Sequence, residues 1–296
     1  MSYLPPAHEE ARQPPRARVT IAGIKALRQR GEPIVMVTAY DHPSARAADR
    51  AGVDIVLVGD SAATTMLGYP STREVSLEEM LMLTRAVRRG LTSPLLVGDL
   101  PFGTYEDSPE QAVETSRRFI DAGCDAVKLE GAGPMLAPIR AIIGAGIPVM
   151  GHVGLLPQSA KNREEYRARG RTADEARDIV RDARDLERVG CFSVVIEAVP
   201  PVVADAITSA LDIPTIGIGA GSCTDGQVLV WHDLLGILDD PSPKFVRRFA
   251  RLRETIVDAL SQYADDVRAH RYPAAEHTYK MAPDEETRFK ALLALK

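Results

Sequence analysis

Cysteine is scarce in this sequence, with three among 296 residues. Cys124, Cys191 and Cys223 are far apart and odd in number, which excludes a disulfide framework and a zinc-ligand pattern. Cys124 and Cys191 open apolar runs, where a small thiol packs as a hydrophobe. Long hydrophobic stretches are missing too: the apolar runs are strand-sized, far short of a membrane span. Nor is there an excess of positive charge. Lys and Arg number 36 against 41 Asp and Glu, and the two signs are interspersed, so no footprint for nucleic acid stands out. Residues 1–19 contain Pro5-Pro6 and Pro14-Pro15 but no continuous apolar stretch of the kind a secretory signal carries. A cytoplasmic protein with a disordered segment over 1–19 is the expectation, and a small molecule is its expected substrate.

What is present is a regular alternation. Short apolar runs recur at Ile34 to Thr38, Ile55 to Val58, Leu95 to Val97, Ala126 to Leu129, Pro148 to Met150, Ser193 to Ile196, Thr215 to Ile218 and Val228 to Trp231. Runs this short and uniformly apolar fit parallel strands covered on both faces. Between them, residues 43–51, 77–89, 109–122, 134–144, 173–189 and 202–210 have helix-like composition. A weak repeat precedes four of the runs: Ala51-Gly52-Val53-Asp54, Ala122-Gly123-Cys124-Asp125, Ala145-Gly146-Ile147-Pro148 and Val189-Gly190-Cys191-Phe192. In each, glycine can end a helix before the chain enters a strand. A doubly wound open sheet would alternate in the same way, but eight runs match a (β/α)8 TIM barrel. The expected organisation is an α/β barrel over 20–280 with additional terminal helices. One of these is a long amphipathic helix over 244–270, which could cap the barrel or meet another subunit. The tail, 281–296, carries a short helix pattern from Pro283, with a solvated tail as the alternative.

The residues suited to chemistry stand at the ends of the runs. Val58-Gly59-Asp60-Ser61 and Val97-Gly98-Asp99-Leu100 each place a carboxylate after a glycine. Lys128 and Glu130 are two apart, so a strand would point both to one side. His152 and Glu197 close the fifth and sixth runs. In parallel α/β folds, strand ends gather side chains from separate segments into one crevice. Several carboxylates and one lysine buried together require compensation, which a bound cation would provide. The oxygen-rich set suits a hard divalent ion, with Mg2+ first. Taken singly, Asp60 or Asp99 could be a turn acid, Lys128 and Glu130 a salt bridge, and His152 a hydrogen-bonded core residue; their shared position favours a site. Gly217-Ile218-Gly219-Ala220-Gly221 lacks the lysine of a phosphate loop and the dinucleotide fingerprint, so a pocket wall or a structural role in close backbone packing is expected.

The ordered stretches Thr38-Ala39-Tyr40-Asp41, Leu57-Val58-Gly59-Asp60-Ser61, Asp99-Leu100-Pro101-Phe102, Val127-Lys128-Leu129-Glu130-Gly131, Gly151-His152-Val153-Gly154, Pro157-Gln158-Ser159, Ile216 to Gly221 and Asp225-Gly226-Gln227 resemble the ketopantoate hydroxymethyltransferase family of the phosphoenolpyruvate/pyruvate barrel superfamily. Glu276-His277 resembles the family's C-terminal pattern. The resemblance implies hydroxymethyl transfer from 5,10-methylenetetrahydrofolate to 3-methyl-2-oxobutanoate, through a metal-stabilised enolate, giving 2-dehydropantoate. It implies that Asp60 and Asp99 hold Mg2+ with Glu130 completing or supporting the metal site. By the same resemblance Asp60, Ser61, Asp99 and Lys128 contact the 2-oxo acid, His152 orients or assists at the pocket, and Glu197 is the catalytic base. It further implies a homo-oligomer, typically a decamer. The loop after His152 departs from the family pattern: Leu156 replaces a usual threonine, and Glu164-Glu165 replace a glycine pair. If that loop lines the donor pocket, the donor or its affinity differs. Two other readings accommodate the same acids: a different 2-oxo acid enzyme of the superfamily, such as a lyase or phosphonopyruvate-type enzyme, and a non-catalytic metabolite-binding barrel.

Overall fold

A computed structural model of the protein describes residues 16–160, 165–239 and 243–294. Parallel strands follow one another as β1 (Ile34–Thr38), β2 (Ile55–Val58), β3 (Leu95–Asp99), β4 (Ala126–Lys128), β5 (Val149–Gly154), β6 (Ser193–Glu197), β7 (Thr215–Ile218) and β8 (Gly226–Leu229). Each pairs with the next. β1 also pairs with β8, Ile34 opposite Gly226 and Val37 opposite Leu229, which closes the barrel and excludes the open sheet.

Three strands run further than the apolar runs predict, because polar residues at their ends still join the parallel ladder. Asp99 pairs with Lys128, and Gly154 with Glu197. β8 starts two residues earlier than its apolar run, and Trp231 belongs instead to the following helix.

The helices are α1 (Ile21–Gln29), α2 (His42–Ala51), α3 (Ala62–Thr65), α4 (Leu77–Gly90), α5 (Pro109–Asp121), α6 (Leu136–Gly144), α7 (Ala173–Val189), α8 (Pro201–Ala210), α9 (Trp231–Leu235), α10 (Leu252–Arg268) and α11 (Pro283–Ala294). Local chemistry sets their ends. Asp41 and Ser76 form capping boxes at α2 and α4, while the Thr172 side chain accepts from the Glu175 amide at α7. Gly52 and Gly190 end α2 and α7 in the left-handed conformation, as the internal repeat anticipates.

Two apolar clusters divide the core. Ile34, Met36, Ile55, Leu57, Leu95, Val97, Ala126, Met150, Val195, Ile216 and Val228 fill the barrel interior, and Ile24 of α1 packs with them. The alternate strand residues, such as Val56, Val58, Leu96, Val127, Leu129, Val194 and Ile196, pack outward with the helices. Burying each of the Val, Leu, Ile and Met side chains among these contributes roughly 1.5–3 kcal/mol.

Helix α1 was not anticipated. Thr20 caps it by accepting from the Gly23 amide, and Ile24 is fully buried beneath the barrel. Residues 16–19, expected to be disordered, are instead pinned to the barrel: Arg16 pairs with Asp54 and Arg18 with Asp125, and the Val19 amide donates to Ser93 O. Residues 1–15 of that segment lie outside the described residues. The long C-terminal helix is shorter than its expected span of 244–270 and buries none of its residues. The tail expected over 281–296 contains α11 up to Ala294. Among the described residues, no helix is long and apolar enough to cross a membrane.

Candidate active site at the mouth of the barrel

The interior alternation carries the site. Asp99 follows Val97 by two, Lys128 follows Ala126 by two, His152 follows Met150 by two, and Glu197 follows Val195 by two, so each continues an inward-facing row. Glu130 extends the row of Lys128 just past β4, and Asp60 comes from the turn after β2. Asp60, Asp99, Lys128, Glu130 and His152 are all buried, whereas the Glu197 side chain remains 18% exposed.

The charges pair along the rim. Lys128 Nζ donates to Asp99 Oδ1 at 2.6 Å and to Oδ2 at 2.8 Å. The backbone amide of Asp60 also donates to Asp99 Oδ2, at 3.2 Å. His152 lies between two carboxylates, with Nδ1 at 3.5 Å from Glu130 and Nε2 at 3.1 Å from Glu197. Neither ring nitrogen has hydrogen-bond geometry to them, so charge attraction dominates those contacts. Tyr40 Oη and Ser61 Oγ are hydrogen-bonded at 2.8 Å, which places Ser61 next to Asp60 at the rim.

Burial and neighbouring charge reshape the titrations. Burial first, and the charge of Asp99 second, hold Asp60 well above the usual carboxylate range. Burial also raises Glu130, against the opposing influence of His152. For Lys128, burial works against the charged ammonium but is outweighed by Asp99, Asp60 and Glu130, so its pKa lies above the ordinary value. For His152, burial and Lys128 both oppose protonation, yet Glu130 and Glu197 prevail and push it up to about 9. The two flanking carboxylates thus favour the protonated ring.

Four carboxyl groups, Asp60, Asp99, Glu130 and Glu197, share this rim with Lys128 and His152, and Glu130 Oε1 is buried without a hydrogen-bond partner. That chemistry fits one more cation. Among the described residues no three His, Cys, Asp or Glu side chains converge into a ready-made metal cage. Mg2+ does not need one, because it commonly takes one or two carboxylates and completes its shell with water and substrate oxygens.

A model of the ketopantoate hydroxymethyltransferase family matches residues 18–275, which span the barrel and every residue of this rim. The chain belongs to that family. It is 50% identical over 266 residues to the 3-methyl-2-oxobutanoate hydroxymethyltransferase of Moorella thermoacetica, covering 90% of this chain and 99% of that protein. The similarly named protein of Salinibacter ruber is 48% identical over 263 residues, covering 88% of this chain and 99% of its own. The mitochondrial 3-methyl-2-oxobutanoate hydroxymethyltransferase 1 of Arabidopsis thaliana is 49% identical over 281 residues, covering 92% and 81% respectively. Among solved structures, a phosphonopyruvate hydrolase shares the fold with a TM-score of 0.61 at 14% identity, covering 94% of this chain and all of that one.

The structure brings Asp60, Ser61, Asp99, Lys128, Glu130, His152 and Glu197 to one end of the barrel. Glu276 and His277 lie elsewhere: His277 packs on Tyr272, which in turn contacts Tyr263 of α10. The glycine-rich stretch after β7 packs closely on other segments, Gly219 against Phe245 and Gly221 against Pro201. Leu156 lies beside Gly131 in the loop after β5, Glu165 begins the next described segment, and Glu164 is outside the described residues.

Three buried residues at the rim had no role assigned from sequence: Tyr40, Tyr105 and Gln158. Tyr40 and Gln158 stand in family-like stretches, so their positions were marked although their partners were not. Tyr105 had no local signal.

Proposed function

We propose that this chain transfers a hydroxymethyl unit from 5,10-methylenetetrahydrofolate to 3-methyl-2-oxobutanoate, giving 2-dehydropantoate, with Mg2+ at the barrel mouth. The observation that carries the reading is the convergence of Asp60, Asp99, Lys128 and Glu197 at one rim in a chain of this family.

The difficult step is removal of the C3 proton beside a ketone. Glu197 accepts that proton on a carboxylate oxygen; its partial exposure leaves it reachable from the mouth. The His152 ring, its Nε2 3.1 Å away, holds the Glu197 carboxylate in place. Ser61, Asp60, Asp99 and Lys128 contact the 2-oxo acid, with Lys128 adding fixed positive charge where the substrate is anionic. Asp60 and Asp99 would hold the divalent ion, and Glu130, fixed by His152 and the Gln158 amide, would support it. Bound there, the ion would supply Lewis-acid stabilisation for the negative charge that develops on the oxo acid. Water opens the donor's methylene bridge, releasing tetrahydrofolate and formaldehyde; the enolate carbon attacks the formaldehyde carbon, and the proton held on Glu197 passes to its oxygen, which becomes the hydroxyl of 2-dehydropantoate.

We also propose a homo-oligomer, a decamer by family resemblance. In support, Ile256, Leu260, Tyr263 and Val267 form an exposed apolar stripe at helical spacing on α10.

The test is an assay of the purified protein with 3-methyl-2-oxobutanoate, with and without Mg2+ and the folate donor. Formation of 2-dehydropantoate is expected only with all components, and C3 proton exchange with Mg2+ alone. Exchange without product in the presence of the donor would redirect the reading to another 2-oxo acid enzyme. Absence of exchange would redirect it to a non-catalytic barrel.

A further inference from the structure

Gln158 sits in the short 3-10 turn Pro157–Ser159 that follows β5, and it is 2% exposed. Every polar atom of its side chain is engaged. Nε2 donates to Asp60 Oδ2 at 3.0 Å and to Leu100 O at 3.0 Å, while Oε1 accepts from the Tyr105 hydroxyl at 2.7 Å. Its backbone amide donates to Glu130 Oε2 at 3.0 Å. One residue thereby ties together the segments that follow β2, β3 and β4.

The direction of the amide is determined by its partners. A flipped side chain would present its carbonyl oxygen to the Asp60 carboxylate and the Leu100 carbonyl, both acceptors, and would forfeit two hydrogen bonds. Tyr105 reinforces the observed direction, since its hydroxyl is 2% exposed with the rest of the residue and donates to the only acceptor of the amide. Of the two Asp60 oxygens, Gln158 occupies Oδ2 and so orients the group. Because a carboxylate can rotate about its last bond, a neutral donor held from two other sides restricts it without cancelling its charge.

We infer that Gln158, locked by Tyr105, is a positioning residue that orients Asp60 and Glu130 for a divalent cation. The inference rests on the reading of Asp60 as a metal ligand. It concerns the loop after β5, so it also explains how that loop, though divergent at Leu156, stays coupled to the rim.

The experiment titrates Mn2+ into the metal-free protein, followed by electron paramagnetic resonance, for the wild type and for Gln158→Met, Tyr105→Phe and Asp60→Asn. Outer-shell partners of this kind commonly change metal affinity by about 10–100-fold. Gln158→Met, which keeps the volume and removes the amide, is expected to weaken Mn2+ binding by roughly that factor, and Tyr105→Phe to weaken it less in the same direction. A residue that merely fills space would leave the affinity unchanged in a folded variant. Wild-type affinity in folded Gln158→Met with lost affinity in Asp60→Asn overturns the inference and leaves the metal reading intact. Wild-type affinity in Asp60→Asn overturns both. Should Gln158→Met not fold, Tyr105→Phe decides: weakened binding supports the inference and unchanged binding overturns it.

Discussion

The ammonium of Lys128 spans both carboxylate oxygens of Asp99, at 2.6 and 2.8 Å, across adjacent strands whose register sets the two residues opposite each other. Strand pairing alone brings them into contact, because both side chains point into the barrel. The pair is thoroughly desolvated, with side-chain exposures of 6% and 2%. A buried pair of this kind is weak evidence of net stabilisation, yet breaking it is costly, since one charge is left uncompensated.

Replacing Lys128 with Met is expected to destabilise the metal-free protein by about 3–5 kcal/mol, the usual cost of orphaning a buried ion. Mg2+ should recover more stability in Lys128→Met than in the wild type, because the cation then answers the unpaired Asp99. Urea unfolding with and without Mg2+ measures both effects. Equal stability of variant and wild type in the absence of metal would refute the importance of the pair.

Glu197→Gln tests the base separately from the fold. Loss of a general base typically costs 10²–10⁴ in rate, so kcat/KM and C3 proton exchange should fall by about that factor. The half-closed position of Glu197, outside the fully buried set, predicts a melting temperature close to wild type and an unchanged Mn2+ affinity. Proton exchange at the wild-type rate would remove Glu197 from its assigned role.

Gly154 stands where β5 meets the end of β6. Its φ is +96°, and a Cβ there would lie 2.2 Å from the carbonyl oxygen of Glu197. That oxygen also accepts the Leu155 amide at 2.9 Å. Gly154→Ala should therefore lose roughly 1–3 kcal/mol from overpacking, with added backbone strain, and lower kcat by shifting Glu197. Calorimetry and steady-state kinetics together provide the check; a variant with wild-type melting and wild-type kcat would contradict this account.

The apolar stripe of α10 predicts self-association. Light scattering of the wild type should give a multiple of the 32.1 kDa chain mass, and Leu260→Glu should reduce that mass while leaving far-ultraviolet circular dichroism unchanged. A monomeric wild type would count against both the stripe's role and the oligomer.

Much of this architecture is written in local composition. Strands buried on both faces need uniformly apolar residues, so β1, β2 and β7 were legible at their observed bounds, and a period of two already placed Lys128 and Glu130 on one side. The sequence alone thus determined the order of the barrel elements and the set of strand-end acids and lysine from which the rim is built. Tertiary structure decided the rest. Ladder pairing extended β3 through Asp99 and β6 through Glu197, closure against β1 moved β8 to start at Gly226, and the barrel floor recruited α1 through Ile24. It also decided that Gln158 meets Asp60 and Tyr105, residues 98 and 53 positions away in the chain. Such contacts depend on which loops the closed barrel brings together, and no spacing within either segment encodes the other.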